Sequence, residues 1–172
     1  MMPFPEAGAY HGIASTGDFE NIERRRLGPT AFIFNANRNS EDSTTEECSV
    51  SWADSEEALY MLAGQIKLDK KTDEFRPQFL GGVCRIPLEG LENLRKTYPE
   101  CFDFNRDPMD YQGHTGLREN THHGNLLLLN AQTKETKAAR KMIVAVLAYI
   151  ASPPQSHVYS RDELDALLAE PS

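Results

Sequence analysis

The chain has one tryptophan, three cysteines and no long apolar run, and each shortage removes a class of protein. Cys48, Cys84 and Cys101 are odd in number, far apart and without a Cys-x-x-Cys pair. Neither a zinc knuckle nor a disulfide framework is expected from them, only reduced and buried thiols. The longest apolar run, Met142–Ala151, is about half of what a bilayer span needs. Met1–Glu6 has no basic segment followed by a hydrophobic one, so no secretory signal is expected and the cytoplasm is the default compartment. Positive charge is also short: 18 Lys and Arg face 26 Asp and Glu, for a net charge of -8. That balance argues against a domain built for nucleic-acid phosphate.

Catalytic signatures are missing as well. No Gly-x-Ser-x-Gly elbow, no Gly-x-Gly-x-x-Gly or Gly-x-x-x-x-Gly-Lys-Ser/Thr phosphate cradle and no His-Glu-x-x-His pair occurs. Paired His-x-Thr motifs are not present either. Several common enzyme classes are thereby removed.

What remains is a 172-residue chain, 40% apolar and 26% charged, the composition of one soluble globular domain. Residues 1–9, with Pro3 and Pro5, read as an extended arm. A helix is expected from Thr16 or Asp18 to Leu27, stopped by Gly28-Pro29. Strands are expected over Thr30–Phe34, Cys48–Trp52, Phe79–Ile86, Cys101–Phe104 and Leu126–Leu129, the last central and covered on both faces. Asp54 and Glu57 have capping-box spacing and start a helix with an apolar stripe of Ala58, Leu59, Leu62 and Ala63. Helices are also expected over Leu88–Tyr98 and from Thr133 to Ile150, the second burying Met142, Ile143, Val146, Leu147 and Ile150. Ser160 with Glu163 caps a short helix in a C-terminal tail, 153–172. Strands and helices mix without βαβ alternation. The fold class is therefore α+β, a single domain with a mixed or antiparallel sheet of about five strands, helices packed on it and a helical C-terminus.

The polar stretch Gln112–Asn130 holds His114, Arg118, His122, His123 and Asn125, and it runs directly into the Leu126–Leu129 strand. A polar loop feeding a buried strand places side chains at the rim of a core, where sites occur. No established metal spacing is present, and adjacent His122 and His123 point apart in an extended segment, so no metal is expected. As an enzyme site, Arg118 would bind an anion, His114 or His123 would serve as general acid or base, and Asn125 would orient a nucleotide or phosphorylated substrate. Arg26, in the cluster Arg24-Arg25-Arg26, either complements the end of a helix dipole or binds phosphate.

Two resemblances add to this. Ala9-Tyr10-His11-Gly12-Ile13-Ala14-Ser15, followed by Phe19-Glu20-Asn21-Ile22 and Leu27, resembles the opening of the ADP-ribosyltransferase fold. That resemblance implies NAD as cofactor, with His11 against its ribose and the Gly12 backbone near the nicotinamide amide. The family's threonine is replaced here by Ile13. Separately, Ala31-Phe32, Cys48–Trp52, Gly82-Val83, Asp107-Pro108 and His123-Gly124-Asn125-Leu126 are similar to small uncharacterised bacterial proteins across residues 24–129, which implies a single bacterial domain; outside the NAD reading no cofactor is expected.

Two functions follow. One is a cytoplasmic domain that binds a protein partner, its acidic surface meeting a basic one. The other is an enzyme that uses His11, His114 and His123 with Arg26, Arg118 and Asn125. A single pocket shared by His11 or Arg26 with His114, Arg118 or His123 would favour the second.

Overall fold

The architecture comes from a computed structural model that describes residues 4–36, 44–110 and 119–170. Strand β1 (Ala9–Ile13) follows the N-terminal arm. The expected helix over residues 16–27 is instead a 3-10 turn, Thr16–Asp18, followed by a hairpin of β2 (Phe19–Asn21) and β3 (Arg26–Leu27). Local polar groups compete with the helix here. Asp18 accepts from the Ser15 N–H, Asn21 accepts from the Arg24 N–H, and Arg25 turns the chain at φ 55°.

Thr30–Phe34 is not a laddered strand. A 3-10 turn at Pro29–Ala31 leads into Phe32 and Phe34, both buried, with Ile33 pointing outward. Its apolar side lies on the core without a strand partner. A short β4 (Asn35–Ala36) and the long β5 (Glu46–Trp52) follow. Helix α1 (Glu56–Ala63) starts from Ser55, so Asp54 is freed from capping. A hairpin of β6 (Ile66–Asp69) and β7 (Glu74–Pro77) follows outside the main sheet.

Then come β8 (Gly82–Ile86), α2 (Leu88–Thr97), β9 (Phe102–Arg106) and β10 (His123–Leu128). Helix α3 (Lys134–Ile150) is capped by Thr133, whose Oγ1 accepts from the Thr136 N–H as its sequence predicts. The chain continues through β11 (Val158–Tyr159) into α4 (Arg161–Ala169), capped by Ser160.

The fold is α+β. Seven strands form one antiparallel sheet in the order β11-β8-β1-β5-β10-β9, with β4 also on β5. Four of its strands, β5, β8, β9 and β10, are among the five expected; the other three are β1 and the two-residue β4 and β11, which carry no readable period. Register fixes which residues share a face. His11, Val50, Trp52, Cys84, Ile86, Phe102, Phe104, Leu126 and Leu128 point to one side, where they share a core with Leu91 and Leu94 of α2 and Ile143 and Leu147 of α3. Tyr10, Ser51, Val83, His123, Asn125 and Leu127 point to the other. There Leu59, Leu62 and Leu164 from α1 and α4 cover Val83. The Leu126–Leu129 run is thus not equally covered on its two faces: Leu126 and Leu128 are wholly buried, while Leu127 stands between Glu47 and Asp103 and is half-buried.

Candidate functional site

The sheet separates the residues that the sequence singles out. His11 lies on the face covered by α2 and α3, 8% exposed, with its ring stacked on Phe32 at 4.6 Å. Nδ1–H donates to the Ser49 carbonyl at 2.8 Å and Nε2–H to the Ala31 carbonyl at 2.6 Å. Two carbonyl acceptors require two donors, so the ring is an imidazolium. Burial pushes its pKa down, but the Cys48 sulfur 3.9 Å away and the two carbonyls outweigh burial and raise it to about 9. Both nitrogens are committed to holding the Pro29–Phe34 segment against β5. His11 therefore faces the interior and has no ring nitrogen left for a ligand.

His123 and Asn125 occupy the opposite face. His123 Nδ1–H donates to the Asp107 carbonyl at 2.6 Å. Asn125 is buried, and its amide donates to Asn105 Oδ1 and Asp107 Oδ2, each at 3.3 Å. His114 and Arg118 lie outside the described residues.

The end of the described loop carries a polar cluster that the sequence did not single out. Arg106, from the end of β9, makes a two-pronged contact with Asp54 at 2.7 and 3.0 Å, and His122 Nδ1–H donates to the same carboxylate at 2.9 Å. The other His122 nitrogen stands 3.5 Å from Glu57. The Arg106 hydrogen bonds hold the Asp54 carboxyl below its usual value; burial opposes this and His122 adds to it. An Asp–His pair is the geometry of a general base, but the nearby hydroxyl is already engaged: Ser51 donates to the Ala58 carbonyl and accepts from Asn120. Met109 and Asn120 close the neck with a reciprocal backbone pair at 2.9 and 2.8 Å. The cluster ties α1, β9 and the neck together. Its signal was Asp54, which a capping-box reading assigned elsewhere. Among the described residues, no group of three His, Cys, Asp or Glu side chains could hold a metal ion.

Arg26 lies at a third place. It is exposed and lines a cleft of about 680 Å³ with Leu27, Pro29, Ala148, Tyr149 and Pro154. Pro29 and Ala145 also line a second hollow of about 550 Å³, bounded by Phe32, Ile33, Phe34, Lys141 and Val144. The two form one groove between α3 and the Pro29–Phe34 segment. Its floor is set by Ser152, whose hydroxyl accepts from the Leu27 N–H and donates to the Ala148 carbonyl, pinning β3 to the end of α3.

Apolar side chains of the lining are open to solvent, Ile33 58% and Tyr149 64% exposed, and Met142 on the same helix, outside the lining, is 55% exposed. Met142 is therefore not a core residue as its sequence position implied. Ile143 and Leu147 fill the core, and Met142 belongs to a second stripe with Ala138, Ala145 and Tyr149 at spacings of four, three and four. Its Ala145 and Tyr149 line the groove. A helix with apolar residues on two sides buries one and leaves one to be covered. Searches of protein-family models, of curated proteins and of solved structures found no match to the chain.

Proposed function

We propose that the chain is a binding module that captures a segment of another protein in the groove between α3 and Pro29–Phe34. The observation that carries this reading is the pair of hollows that adjoin at Pro29 and Ala145, with Ile33, Ala145 and Tyr149 exposed along them. Large exposed side chains gathered along one cleft mark interaction surfaces, whereas scattered ones do not. The floor is rigid, because Ser152 and Leu27 are locked together and Phe32 and Phe34 are buried beneath the wall. A preformed groove binds with a smaller ordering cost. The positions of His11, Arg26 and His123 favour this reading over an enzyme, since they fall on opposite faces of the sheet and in a separate cleft.

Photo-crosslinking tests it. A benzophenone side chain at Ile33 or Tyr149 is expected to trap one discrete protein in the native host. The same group at Leu80, exposed elsewhere on the surface, is expected to trap none. Equal adducts at all three positions would refute the assignment.

A further inference from the structure

We infer that the occupant of the groove is an amphipathic helix bearing carboxylates along its flanks. This rests on the segment-binding reading and narrows it. The walls decide the backbone conformation. One wall is α3 and the other is a 3-10 turn followed by unladdered chain. Along these walls there is no strand edge, and at the far end β3 is only two residues long with its Leu27 N–H taken by Ser152, so an added β-strand would leave most of its amides without ladder partners, whereas a helix arrives with its own satisfied.

The side chains fit the same occupant. Ala145 and Ala148 line the groove, and small residues let a second helix come within about 8 Å axis to axis. The larger Tyr149 stands beside Ala145 and Ala148 on this wall, a knob next to holes. From Lys141 to Tyr149 the helix presents roughly 12 Å of length, and the Pro154–Gln155 end extends it.

Charge then selects the occupant. The chain as a whole is strongly acidic, but α3 reverses the sign locally. Lys134, Lys137, Arg140 and Lys141 lie on it with Glu135 as its only carboxylate. Arg140 is paired with Glu46, which leaves the three lysines facing solvent, and exposed Arg26 lies at the far end of the groove. A second copy docking α3 against α3 would bring like charges together, which disfavours self-association. An acid-flanked helix meets opposite charge from Lys134 to Lys141 on α3 and again at Arg26, where Glu20 also lines the cleft. The net acidic charge of the chain weakens its attraction to most other places, and the basic β6–β7 hairpin, with Lys67, Lys70, Lys71 and Arg76, is the competing patch that a test has to control for.

A displayed library of random peptides, each about sixteen residues and so some 24 Å as helix, selected on the intact chain, tests this. The Ala145→Arg variant is the counter-target. Ala145 is exposed on α3, so unchanged circular dichroism and melting temperature are expected of it. Peptides that bind the native chain and lose binding to A145R define the groove-dependent pool. This pool is expected to carry apolar residues at i, i+3 or i+4, and i+7, flanked by Asp and Glu. Synthesised with a fluorescent label, such a peptide should bind about ten-fold more weakly to a K137E/K141E double variant and more weakly in high salt. K67E/K71E, on the β6–β7 hairpin, should leave its affinity unchanged. A groove-dependent pool that is basic, proline-rich or of strand periodicity would overturn this inference and leave segment binding standing. Absence of any pool sensitive to A145R would overturn both.

Discussion

The buried imidazolium of His11 makes the stability of this protein depend on pH in the alkaline direction. Its folded pKa of about 9 lies above the value of 6.5 for an unperturbed ring. A group whose pKa is raised by folding binds its proton more tightly in the native state, so its stabilisation is complete below pH 6.5. That stabilisation falls as pH climbs and is lost above about 9. A difference of this size corresponds to about 3 kcal/mol, lost at about 1.4 kcal/mol per pH unit within the window. Urea unfolding followed from pH 6 to about 9.5 should show that decline. His11→Gln keeps an amide donor but cannot take up a proton, so it is expected to be less stable at neutral pH and flat over the interval. Cys48→Ala should lower the midpoint, because burial opposes the charge and the sulfur is the largest of the groups that offset it. A ring-proton NMR titration of His11 with a midpoint below 6.5, or a His11→Gln slope equal to that of the native chain, would refute the reasoning.

Three more outcomes follow from the same contacts. Asp54→Asn removes the acceptor shared by Arg106 and His122 and should cost about 1–2 kcal/mol in urea melts at neutral pH. Because the Asp54 pKa is lowered from 3.8, its contribution is present above that value and is lost as pH falls through the depressed one. The acid limb of the stability curve should therefore flatten in the variant. Gly124→Ala would drive a Cβ into Trp52 Nε1 and the Asn105 carbonyl, breaking the 2.9 Å bond between them. The expected result is a red-shifted emission from the single tryptophan and a loss of at least about 2 kcal/mol. Ser152→Ala leaves the buried Leu27 N–H without its acceptor and should cost about 1–3 kcal/mol, with faster hydrogen exchange at Leu27 as the local readout.

The parts of the fold that the sequence revealed are those in which neighbouring residues carry the signal. Thr133 and Ser160 cap α3 and α4 where expected, and the α1 stripe of Ala58, Leu59 and Leu62 is buried as its spacing requires. The errors arose where distant partners decide. Residues 16–27 have helical spacing, yet Arg25 bonds to the Val158 carbonyl and pairs with Glu163 while Leu27 bonds to Ser152, and these contacts hold a hairpin in place of a helix. Asp54 satisfied a local capping rule and was claimed instead by Arg106, 52 residues away. The candidate site suffered most. A histidine-rich loop drew attention because its residues can do chemistry, whereas the groove is built from alanines, a proline and a tyrosine whose meaning depends on the segment lying across from them.

Arg161 makes the final turn of the chain a latch. Its guanidinium donates to the Ala63 carbonyl at the end of α1 and to the Phe79 carbonyl just before β8, and it pairs with Asp165 on its own helix. Together with the Val158–Arg25 and Ser152–Leu27 bonds, this means that segments more than a hundred residues apart close on one another. Such closure brings a large chain-entropy cost before any contact rewards it. During synthesis the central strands can pair early, but the layer of α1 and α4 cannot seal over Val83 until residue 161 is free to reach it. Until then the apolar surface under α1 remains open, and that interval is when a nascent chain of this design is most exposed to aggregation.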